Sequence, residues 1–400
     1  MEGKHCLWCA YEDRNESQGK PSDAEVIIEK SKRILKLLTI FSFLGFLILS
    51  VAVMLWSAGL IIPETFESGT VIFVVLIFVV GLFEVSGYSF LVYYIFIISC
   101  VVVSFIYLAY FHFPDIPTLF KSDKNGMSKI KDSPITRLAF SFSAMMFLYM
   151  VYLVILQFAN ISIRTPGIEE YATWRMIYAI TRATVWEELV IRVVYLGLPM
   201  MLYAMHKGES DLKKYLMGGF GMKYRFVIWP IIFSAAIFAF AHLPSWDIYK
   251  MIPTLLAGFF FGYLYAKDGL YSCILFHFAW NYTSVYTRLP SGWIEAVSIL
   301  MLMWILFGIY FTYYFSKKLM VWLIPSASEV REPKRETEKH KTAGLSTGFI
   351  CSNCGNHTAF YTNEGKLKCK RCGTEHDPTS PVAQEGLGVK ERKREWPPSQ

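Results

Sequence analysis

The chain of 400 residues is 54% hydrophobic and only 18% charged, whereas soluble domains carry about a quarter charged residues. A long apolar middle between polar ends excludes a soluble protein and indicates that the bilayer is the solvent for most of the chain. The net charge of +7 does not indicate nucleic-acid binding, because basic loops on the cytosolic side of a membrane protein account for it.

The N-terminal segment, residues 1–33, is polar and precedes an apolar run over 34–62. This run is too long for the apolar region of a signal peptide, so we expect it to remain as the first membrane span. Cys6 and Cys9 form a CxxC pair in the polar segment. The pair is half of a metal site, and it is compatible with a degenerate knuckle, a site shared with another chain, or a zinc site completed by a histidine.

Eight apolar segments approach or exceed the roughly 20 residues that a membrane-spanning helix needs. They are 34–62, 70–112, 135–163, 172–205, 226–243, 250–266, 270–287 and 294–323. The segment 70–112 could be one tilted helix, two tight spans, or a span with a re-entrant piece. The basic loops all face the cytosol only if it crosses a net single time. We predict an all-α polytopic membrane domain over 34–323, with about eight transmembrane helices and both termini cytosolic.

The C-terminal part is predicted to contain a charged linker (324–347), a small β zinc ribbon (348–377) and a disordered tail (378–400). Two CxxC-Gly knuckles supply the candidate zinc ligands, which are Cys351, Cys354, Cys369 and Cys372. Thirty residues cannot form an adequate core, so a structural zinc ion would supply much of the folding energy. The alternative is two unrelated thiol pairs. A ribbon on the cytosolic side could recruit a cytosolic protein.

Ionisable side chains occur within the predicted spans, where they are costly and usually functional. Glu188 and Arg192 are four residues apart and can pair along one face of a helix. Glu187 points about 100° away from Glu188 and is left for another role.

Two later spans carry polar side chains at helical spacing. His242 lies near the end of its span with Phe238 one turn earlier, and His277 and Asn281 project together from the next polar span. Cys273 is expected to be a small buried hydrophobic residue. The polar groups could share the inner faces of three helices as a reactive site, or form a network that only holds the helices together.

In order along the chain, these residues form the motifs Glu187-Glu188-x-x-x-Arg192, Phe238-x-x-x-His242 and His277-x-x-x-Asn281. With them, the chain resembles the CAAX prenyl-protease and bacteriocin-processing family of intramembrane endopeptidases over about 172–287. Each motif alone is weak, but three in order on separate predicted spans are fairly specific. The resemblance implies an eight-helix membrane protease of the glutamate type. It would act on membrane lipid-associated peptides, either prenylated CAAX C-termini or others.

Carried onto this chain, the resemblance implies that Glu187 and His242 activate a water molecule as general base. His277 and Asn281 would stabilise the oxyanion. Glu188, Arg192 and Phe238 would have supporting roles. Arg192 would hold Glu188 ionised and fix the rotation of the helix, and Phe238 would pack beside the His242 ring.

Three other functions fit the same residues. Glu187, His242 and His277 could be ligands of a catalytic metal with open positions, although an HExxH motif is absent. A non-catalytic scaffold could recruit partners through the zinc ribbon. A transporter would account for Glu84 and Arg182 as further polar groups at depth, but symmetric half-length helices are not evident.

Overall fold

The fold is that of a computed structural model of the chain. The structure describes residues 23–75, 79–119, 133–162, 170–222, 225–244, 246–290, 292–323, 351, 353, 359–361, 366–369 and 371–376. Several predicted features lie outside these residues, namely Cys6, Cys9, Cys354, the linker 324–347 and the tail 378–400.

Helices make up most of the described chain. The α-helices are α1 (Asp23–Glu67), α2 (Gly87–His112), α3 (Ile116–Leu119), α4 (Pro134–Phe158), α5 (Thr173–Glu188), α6 (Leu198–His206), α7 (Lys213–Met217), α8 (Ile228–His242), α9 (Met251–Lys267), α10 (Leu270–Val285) and α11 (Trp293–Leu323). A π-helix (Leu189–Gly197) joins α5 to α6, and short 3-10 helices occupy Phe113–Asp115, Arg225–Val227, Ile248–Lys250 and Tyr286–Arg288.

Six helical segments of the described chain are long and apolar enough to cross a membrane. They are Val26–Glu67, Gly87–His112, Pro134–Phe158, Thr173–His206, Ile248–Lys267 and Trp293–Met320. The two remaining predicted spans correspond to α8 and α10, which are apolar but have only 15 and 16 residues. The predicted class, an all-α integral membrane protein with several spans, is confirmed.

The segment 70–112 contains one candidate span, α2, preceded by an antiparallel β-hairpin of β1 (Gly69–Val75) and β2 (Val79–Ser86). The hairpin is a departure from the predicted helical segment. Its residues are rich in β-branched valine and isoleucine, which favour strands over helices.

The edge of β1 that does not pair with β2 accepts hydrogen bonds from side chains of α5 and the π-helix. The indole N–H of Trp186 donates to the Phe73 carbonyl, and the Tyr195 hydroxyl donates to the Val75 carbonyl at 2.8 Å. Arg182 Nη1 donates to the same strand at the Val71 carbonyl, at 3.3 Å. These donors satisfy strand carbonyls that would otherwise be unpaired in an apolar medium, which makes a hairpin possible at this place.

Close approach of α8 and α9 depends on two glycines spaced four residues apart in α9. A β-carbon at Gly258 would lie 2.9 Å from the Ala235 Cα, and one at Gly262 would lie 3.0 Å from an Ile231 methyl group. Small residues at this spacing let two membrane helices pack backbone to backbone. The packing holds His242, the last residue of α8, beside α9.

Helix α10 is the central helix of the domain and packs against α2, α5 and α9. Its buried side also meets an aromatic cluster around Phe142 of α4. The Phe142 ring centroid lies 5.1 Å from that of Phe43, 5.9 Å from Phe276 and 5.0 Å from Trp304. This cluster, fully buried at Phe142, helps to fix the position of α10.

Contacts divide the chain into two compact units, with the division between Ser316 and Lys317. The second unit contains a three-stranded antiparallel sheet of β3 (Ala359–Tyr361), β4 (Leu367–Cys369) and β5 (Glu375–His376) in the order β3–β4–β5. This sheet agrees with the small C-terminal β element that the sequence predicts.

Candidate active site in the membrane domain

The first motif lies where an α-helix changes to a π-helix. Helix α5 ends at Glu188, and the next nine residues form wider turns in which the Leu198 N–H bonds to the Val193 carbonyl, five residues earlier. Arg192 Nε still donates to Glu188 Oε2 at 2.9 Å. Isolated π-helical turns are rare and are often found at functional sites.

Glu188 is the centre of a buried polar cluster. Glu188 and Arg192 are both fully buried. Besides the Arg192 guanidinium, Glu188 Oε2 accepts a hydrogen bond from the Cys273 thiol at 2.6 Å. Glu188 Oε1 lies 2.9 Å from His277 Nδ1, and Arg192 Nη1 donates to Ser234 Oγ at 3.0 Å. Both oxygens of one carboxylate are therefore hydrogen-bonded, and the cluster joins α5, the π-helix, α8 and α10.

Two phenylalanine rings enclose this cluster on the side of the histidines. The Arg192 guanidinium lies 5.3 Å from the Phe238 ring centroid and 5.5 Å from that of Phe261. Phe261 stacks on the His277 ring at 4.6 Å, and Phe238 packs edge-on against the His242 ring at 4.8 Å. The aromatic rings shield the ion pair and limit the rotation of both imidazoles.

Hydrogen bonds at Nδ1 define which nitrogen each imidazole presents. His242 Nδ1 lies 2.7 Å from the Phe238 carbonyl oxygen, which can only accept, so Nδ1 carries the hydrogen. His277 Nδ1 faces the Glu188 carboxylate, which is also an acceptor when ionised. Both rings are thus left with Nε2 for any reacting group.

A cavity of about 520 Å³ lies in front of the buried cluster. The polar side chains that line it include Glu187, His242, His277, Asn281, Lys250 and Arg288. Glu187, His242, His277 and Asn281, which the family resemblance assigns to catalysis, therefore line the same cavity. The supporting residues Glu188 and Arg192 are absent from its lining and lie behind it.

Glu187 and Asn281 are held loosely compared with the buried cluster. Glu187 makes no hydrogen bond or ion pair with the residues that the structure describes, but it interacts electrostatically with His242. Asn281 Nδ2 lies 3.5 Å from Thr184 Oγ1, which is long for a hydrogen bond. Both side chains can therefore turn toward a bound molecule at little cost.

Two participants of the buried cluster, Cys273 and Ser234, were not predicted from the sequence. Cys273 is buried, as expected, but it is more than a small hydrophobic residue because its thiol donates to Glu188. Its position four residues before His277 places both on one face of α10, a signal that the spacing did offer. Ser234 lies two helical turns before His242 and had no signal of its own.

Three of the predicted zinc ligands converge in the second unit. The sulfur atoms of Cys351, Cys369 and Cys372 all lie within 4.8 Å of one another. Sulfurs on one tetrahedral zinc ion are about 3.8 Å apart, given Zn–S bonds of about 2.3 Å, so these residues fit a zinc site. His376 Nε2 lies 3.3 Å from Cys351 Sγ and is a further candidate ligand, one that the CxxC spacing does not predict. Cys354 lies outside the described residues.

The candidate metal-ligand atoms in the membrane domain do not converge as the three cysteine sulfurs do. Among the described residues, the cysteine trio is the one group of three or more histidine, cysteine or acidic side chains whose ligand atoms converge within 4.8 Å. Glu187, His242 and His277 line a common cavity without forming such a group.

Fold and site together define a polytopic membrane protein with a carboxylate and two imidazoles facing a cavity between its helices. The family model for type II CAAX prenyl endopeptidase Rce1-like proteins matches residues 169–283, which contain all three motifs. The match confirms the resemblance to the CAAX prenyl protease family, a family of intramembrane endopeptidases, over these residues. The comparisons with curated proteins and with solved structures found no match.

Proposed function

We propose that this protein is an intramembrane endopeptidase that cleaves membrane-associated peptides with a water molecule activated by Glu187 and His242. The observation that carries the proposal is the single cavity lined by Glu187, His242, His277 and Asn281. Prenylated CAAX-type peptides are the substrate class that the family match suggests first.

The proposed chemistry needs no group other than these side chains and water. Glu187 takes a proton from the water as its oxygen attacks the scissile carbonyl carbon, while His242 Nε2 accepts the second hydrogen bond of the water. When the tetrahedral intermediate collapses, the C–N bond breaks and Glu187 returns the proton to the leaving amine. The products are a new carboxylate and a new amine.

The oxyanion formed by the attack needs hydrogen-bond donors. Asn281 Nδ2 is one, and its weak contact with Thr184 costs little to give up. His277 Nε2, when protonated, is the other, because Glu188 holds the ring by Nδ1 and thereby aims Nε2 away from the buried cluster. Glu188 and Arg192 therefore support catalysis through His277 without contacting the substrate.

Removing Asn281, one of the two proposed oxyanion donors, should slow cleavage strongly while leaving the protein folded. We expect Asn281→Ala to lower kcat by roughly 10²–10³, the loss typical of one oxyanion-hole donor. Asn281→Asp, which keeps the shape but replaces the donor by an acceptor, should be at least as slow. The measurement is cleavage of a prenylated fluorescent peptide by detergent-purified protein.

His206→Ala is the matched control for this test, because His206 is exposed at the end of α6 and does not line the cavity. An Asn281→Ala enzyme with the rate of His206→Ala would remove Asn281 from the mechanism. A protein that binds a partner through its C-terminal unit but cleaves no peptide at all would instead support the scaffold alternative.

We also propose that Cys351, Cys354, Cys369 and Cys372 bind a structural zinc ion, and the converging sulfurs of three of them support this. The ribbon would then be a platform for a cytosolic protein partner, as the sequence predicts. A site with four thiolate ligands has no open position for catalysis.

Substituting the zinc ligands should remove one zinc ion per chain. We expect the variant Cys351→Ser/Cys369→Ser to contain one zinc less than Cys100→Ser, whose substituted thiol lies in α2. Zinc per chain can be measured on purified protein by elemental analysis. Equal zinc contents of the two variants would contradict the proposed site.

A further inference from the structure

Lys250 places a positive charge in the catalytic cavity without an ion-pair partner from the described chain. It ends the 3-10 helix Ile248–Lys250, which is capped by Asp247 because the Asp247 side chain accepts from the Tyr249 and Lys250 N–H groups at 2.9 and 3.2 Å. The Lys250 ammonium group lies 4.0 Å from the Trp246 ring centroid. The short helix and the indole ring therefore fix where this cation points.

Lys250 and Glu187 line the same cavity and interact electrostatically, but they do not form an ion pair. Arg288, at the end of the 3-10 helix after α10, lines this cavity too. Two cationic side chains thus line the cavity together with the proposed general base, and Asp247 also interacts electrostatically with Lys250. A cation inside a membrane protein is costly unless it meets an anion, so this arrangement calls for an anionic ligand.

We propose that Lys250 binds the C-terminal carboxylate of the peptide substrate, with Arg288 adding to the positive potential. The inference rests on the proposed function, because it assumes that the ligand of this cavity is a peptide. Every peptide has a single α-carboxylate at its end, whatever its sequence. A carboxylate held at Lys250 would place the scissile bond at Glu187 a fixed number of residues from the chain end.

This assignment makes Lys250 a determinant of specificity and not a member of the catalytic group. An internal peptide segment has no terminal carboxylate to offer Lys250. The enzyme would then cleave near free C-termini and discriminate against internal bonds and blocked ends. A lipid phosphate is the other anion that a membrane offers, and the test below separates the two sources.

The test compares one peptide in two forms, with a free C-terminal carboxylate and with a C-terminal amide. Wild-type protein should cleave the acid with a kcat/KM roughly 10–100-fold above that of the amide, the range expected for one charge-assisted hydrogen bond. Lys250→Met should lose this preference and cleave both forms at the rate that wild type shows for the amide. Lys250→Arg should retain the preference.

Lys207→Met is the control, because Lys207 also lies over an aromatic ring, that of Tyr203, but is exposed and absent from the cavity. The same acid-to-amide ratio should be measured as equilibrium binding in a Glu187→Gln background. Binding reports on Lys250 even if the proposed cleavage mechanism is wrong, so the two failures can be told apart.

Equal binding of acid and amide by Glu187→Gln protein would overturn the proposal. Retention of the preference by Lys250→Met would do so as well. If Lys250 instead binds lipid phosphate, anionic phospholipid vesicles should compete with both peptide forms equally, and this competition should disappear in Lys250→Met. That result would also overturn the assignment to a peptide carboxylate.

Discussion

Replacing Glu187 by glutamine should reduce peptide cleavage to a trace, with a fall in kcat of about 10²–10⁴. A carboxylate that accepts the proton of the attacking water contributes 10²–10⁴ to the rate, and an amide cannot accept that proton. Glutamine has nearly the same size and shape, and Glu187 makes no hydrogen bond or ion pair with the described residues, so the substitution should not disturb the fold. Glu187→Asp should retain part of the activity, since the shorter side chain keeps the basic group.

The measurement is single-turnover cleavage of a membrane-associated peptide by purified protein, with product identified by mass spectrometry. Glu170→Gln is the matched control, because Glu170 is exposed and lies outside the cavity. Wild-type cleavage by folded Glu187→Gln protein would exclude Glu187 as the general base. Under the metal-dependent alternative, removal of metal by a chelator that enters the membrane site would stop cleavage by a Cys351→Ser/Cys369→Ser protein, whereas the proposed mechanism predicts no loss.

Replacing Glu188 by glutamine should instead destabilise the membrane domain, by about 3–5 kcal/mol. Glu188 and Arg192 are fully buried, and removing one member of a buried ion pair leaves the other charge uncompensated. The loss should be larger than for an ordinary polar contact because the same carboxylate also accepts from Cys273 and His277. Any Glu188→Gln protein that folds should also cleave slowly, since His277 loses its anionic partner.

The free energy of unfolding of detergent-solubilised protein measures this effect, with Glu67→Gln at an exposed position of α1 as the control. The double variant Glu188→Gln/Arg192→Met should recover part of the stability lost in Glu188→Gln, because it removes the unpaired charge as well. A Glu188→Gln protein within 1 kcal/mol of the control would contradict a structural role for the ion pair, given the size expected for such pairs.

Composition determined the class of this protein, because a chain with so little charge cannot keep its long apolar segments out of a bilayer. Helical spacing determined which groups meet within one helix. Glu188 reaches Arg192, and Phe238 lies against His242, because residues four apart share a face whatever the helix packs against. The ordered motifs pointed to a resemblance to the CAAX prenyl protease family, and the family model matches the stretch that contains them.

Contacts between helices were decided only by the tertiary structure. Glu188 is bonded to Cys273 and His277 because α5 and α10 pack at one depth and rotation, and no spacing within either helix encodes that. The hairpin that replaces the first part of the segment 70–112 likewise depends on donors such as Trp186 from a distant helix.

The position of Lys250 likewise depends partly on the sequence and partly on the tertiary structure. Its type and place in the chain are plain in the sequence, but its approach to Glu187 follows from the turn between α8 and α9. That turn is held by two helices whose separation is set by Gly258 and Gly262. Periodicity specifies the face on which a side chain lies, whereas helix packing specifies what that face meets.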